Sequence, residues 1–195
     1  MKTHLAILAA ISLLVPAASE AQNAKTINEH PATQVTFNYL RSAMGQDWTK
    51  AATLIEPVSL DSLKARYIVR IKASATIDEE IAHVRRLDCA NLKEVEGLEP
   101  AEFYIRYHKG VQKRFKVDQA KLDQILASLG VKLLSLAEEA VDGTEYCHIL
   151  VRTRHSNGEK QISALDLVSL IKINGEWRVT LNAQEPVVKQ LKDPK

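Results

Sequence analysis

Apolar residues recur at helical spacing along the first two thirds of the chain. From residue 31 onward, successive windows place an apolar side chain every three or four positions, as an amphipathic helix requires. Prolines, cap-forming side chains and glycines mark the ends of these windows. The pattern predicts helices that run from Pro31 to Gly45, over 48–55 behind the cap Asp47, over about 61–73, after the capping box that begins at Thr76, from Pro100, and from Asp118 to Gly130.

After Gly130 the apolar period changes to alternation, which is typical of half-buried strands. We predict strands over 131–141, 145–155, 159–173 and 176–182. The dipeptides Asp142-Gly143, Asn157-Gly158 and Asn174-Gly175 separate them and supply the positive φ angles of tight hairpins. We therefore expect a four-stranded antiparallel meander, with a bend or bulge in the long third strand. Helices packed on one face of such a sheet give an α+β fold.

The amino terminus has the order of a secretory signal peptide. Lys2 and His4 precede an apolar run over 5–15, and Ser19-Glu20-Ala21 offers small residues to a signal peptidase. The run is too short to span a membrane; the alternative is a buried N-terminal helix. We expect cleavage after Ala21 and a bacterial periplasmic or secreted protein, with a disordered segment over 22–30 and one domain over 31–195.

Charge and composition exclude little beyond nucleic-acid binding. The formal net charge is +2, and basic and acidic residues are interspersed rather than gathered into a basic stripe, so nucleic acid is not an expected partner. The run from Lys109 to Lys116 is locally basic; we interpret it as a solvated face or, alternatively, as a contact for an anionic lipid or glycan surface.

Cys89 and Cys147 leave two alternatives open. In an oxidising compartment two cysteines can pair, and a bridge closing so long a loop would stabilise the fold by roughly 4 kcal/mol. Alternatively, both are buried, unpaired thiols that pack as small apolar side chains.

The sequence contains no motif that is typical of a catalytic or cofactor site. The histidines lack metal-ligand spacing, and neither a Gly-x-Ser-x-Gly elbow nor a glycine-rich phosphate loop is present, so neither a metal nor a cofactor is expected. His148 and Arg152 share a strand face, and Asp166 lies near the middle of the next predicted strand. A His148–Asp166 pair beside Arg152 could perform general acid–base chemistry. Alternatively, Arg152 and Asp166 form an exposed cross-strand pair and His148 is a surface residue.

Tyr104 and Tyr107 lie on one predicted helix and admit two interpretations. They could line the mouth of a ligand pocket, or they could be core residues on the apolar face of the helix, which their spacing favours.

Two stretches, Val35–Ile55 and Asp166–Val179, resemble the nuclear transport factor 2-like superfamily, which includes ketosteroid isomerase-like enzymes and polyketide cyclases. The first contains a Gly-x-Asp-Trp step between two helices, and the second a strand ending in Asn-Gly followed by Glu-Trp-Arg. The resemblance implies a cone in which helices pack into a curved antiparallel sheet, often with a pocket between. Extra helical sequence separates the two stretches, so no catalytic residue is carried over.

We expect a non-catalytic exported domain that binds a small apolar molecule or a partner protein. One alternative is a small cofactor-free enzyme, of isomerase, dehydratase or hydrolase type, working from His148 and Asp166. Another is an interaction subunit that forms a homodimer through the outer face of its sheet.

Overall fold

The computed structural model describes residues 27–115, 119–156 and 161–181. The predicted signal peptide, Asp118 and the Asn157-Gly158 turn lie outside these residues. Residues 27–29 form a helical turn, and Ile27 is buried, where the sequence predicted a disordered segment.

Within the described residues, seven helices precede the sheet. The predicted starts at Pro31, Trp48 and Pro100 are confirmed, and the third helix begins at Pro57 rather than near residue 61 because proline is favoured at the first helical position. The helices are α1 (Pro31–Met44), α2 (Trp48–Thr53), α3 (Pro57–Lys72), α4 (Ile77–Arg86), α5 (Leu92–Gly97), α6 (Pro100–Phe115) and α7 (Gln119–Ala127).

Side-chain caps position several of these helices. Asp47 accepts a hydrogen bond from the N–H of Lys50 at 3.1 Å, and Thr76 accepts one from Glu79 at 3.2 Å, as predicted. The short helix α5 was not predicted; Asn91 caps it in the same way. Across the described part of the chain, no helix combines the length and the apolar character that crossing a bilayer requires.

In the described part of the chain, four antiparallel strands follow in the order β1-β2-β3-β4, which confirms the predicted α+β meander. Asp142-Gly143 and Asn174-Gly175 all have positive φ angles, between 50° and 85°, as the tightest hairpins require. The strands are β1 (Gly130–Val141), β2 (Thr144–Ser156), β3 (Gln161–Ile173) and β4 (Glu176–Thr180).

A β-bulge interrupts β1 rather than the long third strand. The register of β1 with β2 shifts between Leu133 and Ser135, whereas β2 and β3 pair without a shift. Of the bend or bulge predicted for the third strand, the bulge was therefore wrong. The bulge keeps both Leu133 and Leu136 turned toward the helices, although the two are an odd number of residues apart.

The two faces of the sheet differ in what covers them. Cys147, Ile149 and Val151 of β2 are fully buried against the helices, and we call this side the inner face. The intervening residues, His148, Leu150 and Arg152 among them, point to the outer face.

The described residues form two hydrophobic clusters. The main cluster lies between the inner face and the helices and includes Tyr104, whereas a second cluster among the helices includes Phe103. Because Phe103 and Tyr104 are adjacent on α6, that helix joins the two clusters.

Candidate functional site

His148 lies on the outer face of β2 with partners at both ring nitrogens. Its Nδ1 lies 2.9 Å from Ser169 Oγ on β3, and its Nε2 lies 3.1 Å from Glu139 Oε1 on β1. Ser169 is directly opposite His148, and Glu139 is one diagonal step away. The register of the sheet therefore supplies His148 with a hydroxyl and a carboxylate.

Asp166, the carboxylate predicted to pair with His148, lies on the other face. It is directly opposite Val151, and its Oδ2 accepts a 3.4 Å hydrogen bond from Thr153 Oγ1. Directly opposite residues point to the same side, so Asp166 belongs to the inner face whereas His148 and Arg152 point outward. The structure does not bring the three residues together, and it also removes the cross-strand pair of Arg152 with Asp166.

Ser169, His148 and Glu139 are arranged in the same order as the serine, histidine and carboxylate of a hydrolase site. A histidine between a hydroxyl and a carboxylate is the geometry that activates a serine nucleophile. Ser169 is only 3% exposed, so a reacting carbonyl carbon has no approach to its Oγ. The contacts orient His148 on the sheet, and they do not supply the chemistry that the enzyme alternative requires.

Tyr104 and Tyr107 pack into the interior rather than around a pocket mouth. The ring of Tyr104 is 2% exposed and lies 6.4 Å from Trp48 and 4.4 Å from His108, between centroids. Tyr107 is half-buried and edge-on to Tyr67 at 5.3 Å. Burial raises the pKa of the Tyr104 hydroxyl. The core interpretation of both tyrosines therefore fits the structure.

Cys89 and Cys147 both carry free, buried thiols. Cys147 belongs to the main hydrophobic cluster and Cys89 to the second one. Of the two alternatives that the sequence left open, the structure contains the unpaired thiols. Burial raises the pKa of both, to about 11 for Cys147, where the Glu138 carboxylate adds to the effect.

A cleft of 690 Å³ opens where the helices meet the β3–β4 turn. Its position follows from two hydrogen bonds that tie the chain before α3 to β4: Val179 N–H donates to Leu54 O at 2.8 Å, and Glu56 N–H donates to Val179 O at 2.9 Å. The volume lies within the usual range for small-molecule sites. The lining comprises Ala52, Thr53, Ile55, Pro57, Leu60, Asp61, Glu99, Pro100, Ala101, Ile173, Asn174, Glu176 and Arg178.

The polar residues of this cleft carry an excess of negative charge. Glu176 is paired with Arg178 at 2.6 Å, and Arg178 also donates to the backbone oxygen of Thr53. Asp61 and Glu99 also line the cleft, and their carboxylates form no ion pair with any residue that the structure describes. A ligand here would meet apolar side chains and two carboxylates that form no ion pair with a described residue.

No pattern in the sequence indicated this site. Asp61 lies on α3, Glu99 just before α6 and Glu176 on β4, so their proximity depends on how the helices dock on β4. Across the described ranges, no group of three or more His, Cys, Asp or Glu side chains is arranged to hold a metal ion.

Comparison of the chain with protein-family models, with curated proteins and with solved structures finds no match. The functional argument therefore depends on the geometry of the site itself.

Proposed function

We propose that this chain is a non-catalytic exported domain that binds a small molecule in the cleft between α2, α3, the start of α6 and the β3–β4 turn. The observation that carries the proposal is the cleft itself, because 690 Å³ with an apolar floor and a few convergent polar groups is what a small-molecule site needs. Export is supported by the sequence of residues 1–21.

The charge of the lining favours an apolar ligand that carries a positive group. Ile55, Leu60 and Ile173 provide apolar surface, while Asp61 and Glu99 form no ion pair with any described residue. The nearby Lys64 donates to the backbone oxygens of Glu96 and Leu98 instead. An ammonium or guanidinium group on the ligand would supply the missing partner, and charge-assisted hydrogen bonds to carboxylates are the stronger kind.

We also propose that the fold is a helix-enlarged member of the nuclear transport factor 2-like superfamily. In support, the two stretches that carry the resemblance meet in space: Ile55, at the end of the first, forms a parallel bridge with Val179, at the end of the second. In this proposal, the cleft lies at the end of the helix–sheet interior, because aromatic side chains such as Tyr104 fill the interior itself.

The test is a titration of isoleucine-methyl-labelled protein, followed by NMR, with three probes that share a phenylethyl body. Phenethylamine, 2-phenylethanol and 3-phenylpropionate differ in charge but not in apolar size. We expect the amine to shift the methyl signals of Ile55 and Ile173 most strongly, the alcohol less, and the carboxylate least. Equal responses to all three would refute the charge preference, and no response in either methyl would refute the site.

Two variants make this test specific. Ala101→Trp would fill the cleft without changing its charge, and should abolish the shifts. Asp61→Asn should weaken amine binding by about two- to fivefold, which is the magnitude of a partly exposed ion pair. Asp78→Asn is the matched control, because Asp78 is an exposed carboxylate on α4, away from the cleft lining.

A further inference from the structure

Three cations gather at one corner of the outer face, where β1 begins. Lys132 on β1 is directly opposite Arg152 on β2, and Arg154, two residues further along β2, is opposite Gly130. All three side chains point to the outer face because positions two apart on a strand, and directly opposite positions, share a side. Together with Gly130 and Val131, they line a cavity of 210 Å³.

No carboxylate among the described residues compensates this charge. Lys132, Arg152 and Arg154 make neither an ion pair nor a side-chain hydrogen bond within the described part of the protein. Other lysines form ion pairs: Lys113 pairs with Asp88, and Lys172 pairs with Glu145. Like charges placed directly opposite each other on a sheet are destabilising, so the Lys132–Arg152 pair is a cost to the free protein that a bound anion would remove.

Exposed leucines continue the patch on the neighbouring strand. Leu165 is directly opposite Arg152, and Leu167 is directly opposite Leu150. Leu165 and Leu167 are each 60% exposed, and the helices pack against the inner face rather than this one. Strands lie about 4.8 Å apart, so the position of Leu165 is about 5 Å from that of Arg152 and about 10 Å from that of Lys132, measured across the strands.

We propose that this corner binds one anionic amphiphile: a phosphate or carboxylate head in the cavity between Lys132, Arg152 and Arg154, and an alkyl chain across Leu150, Leu165 and Leu167. Charge complementarity selects this occupant. A second copy docked with its cation corner on this one would bring like charges together, which is unfavourable. The cavity holds a single head group. This site is separate from the cleft and does not depend on the function proposed there.

The experiment is a titration of leucine-methyl-labelled protein with decyl phosphate below its micelle concentration, again followed by NMR. Inorganic phosphate and neutral decyl maltoside are run in parallel. We expect decyl phosphate to shift the methyl signals of Leu165 and Leu167, and each of the other two probes to bind at least about tenfold more weakly, because each lacks half of the ligand. If decyl phosphate leaves both methyl signals unchanged, the proposal is wrong.

Charge and apolar variants separate this site from general attraction to a basic protein. R152E should lower the affinity for decyl phosphate at least about tenfold, while K109E makes the same change of net charge on the basic α6 surface and should leave it unchanged. L165S should weaken the binding of decyl phosphate but not that of inorganic phosphate. V69S, at another exposed apolar position, should change the binding of neither ligand. Equal losses in R152E and K109E would overturn the proposal.

Two other occupants would show themselves in the same set of measurements. Binding to phosphatidylglycerol vesicles without any response to decyl phosphate would replace the single molecule with a bilayer surface. A concentration-dependent dimer in light scattering that R152E alters would replace it with a second copy of the chain. Either result would overturn the proposal.

Discussion

His108 is a histidine surrounded by aromatic rings rather than by charges. Its ring stacks on Trp48 at 4.3 Å and lies 4.4 Å from Tyr104, between centroids. Burial therefore lowers its pKa to about 4, and no carboxylate of the described residues pairs with the ring to offset this. In the folded protein His108 is therefore neutral at pH 7.

This lowered pKa predicts a loss of stability in mild acid. Between pH 6.5 and 4, His108 is protonated in the unfolded chain but neutral in the folded one. The free energy of unfolding therefore falls as the pH drops. We expect a loss of about 2 kcal/mol between pH 7 and pH 5, measured by urea denaturation. H108Q should remove most of it. H83Q is the comparison, because the pKa of His83 is also lowered, mainly by burial. If H108Q loses as much stability between pH 7 and pH 5 as the unaltered protein does, the assignment of this loss to His108 is wrong.

The failure of the His148–Asp166 pair also has its cause at the residue scale. When an even number of residues joins two antiparallel strands, each even-numbered position of one strand is directly opposite an odd-numbered position of the other. His148 and Asp166 both have even numbers, so they cannot be directly opposite each other. The sequence predicted that the two strands pair, and they do. Parity within that pairing already places the two side chains on opposite faces.

At the scale of elements, the helices were predictable where caps and prolines mark them, and the details of the sheet were not. The Asp142-Gly143 hairpin alone would place Lys132 opposite Thr153, on the inner face. The bulge after Leu133 shifts the register by one residue and turns Lys132 outward beside Arg152. Because a bulge depends on how leucines fit against the helices, the cation corner could not be found from the sequence.

The resulting like-charge pair predicts a variant that gains stability. K132E would place a carboxylate opposite Arg152, so the free energy of unfolding should rise by roughly 0.2–1 kcal/mol, measured by urea denaturation at low salt. The gain should shrink in high salt. K109E, whose lysine is not opposite another cation on a sheet, is the control and should show no such gain. A loss of stability in K132E would mean that the lysine has a structural role.

The close packing of two helices at Gly110 predicts a variant that loses stability. A Cβ at this position of α6 would lie 1.9 Å from the backbone oxygen of Arg86 at the end of α4, so the two helices approach too closely for alanine. Although alanine favours helices by about 1 kcal/mol, G110A should destabilise the protein by roughly 1–3 kcal/mol. G97A is the matched control because a Cβ at Gly97 meets nothing within 4 Å. Equal midpoints of thermal unfolding for the two variants would contradict this contact.

At the scale of the whole molecule, α6 connects two cores that form from different parts of the chain. Phe103 is fully buried in the cluster among the helices, and its neighbour Tyr104 in the cluster against the sheet. The sequence predicted an apolar face on this helix but not that the face divides between two clusters, because that division depends on how α3, α4 and the sheet dock around it. The same division separates the two cysteines.

The separation of Cys89 from Cys147 predicts that the protein keeps two free thiols even after exposure to an oxidising compartment. A disulfide needs Cα atoms within about 7 Å, and these residues belong to different clusters. Protein purified without reductant and unfolded in guanidinium should titrate two thiols with Ellman's reagent, and reductant should not change its thermal midpoint. In the folded state both should react slowly, because burial raises the pKa of each thiol and leaves little thiolate. Fewer than two reactive thiols in the unfolded chain would contradict the arrangement of the two cores.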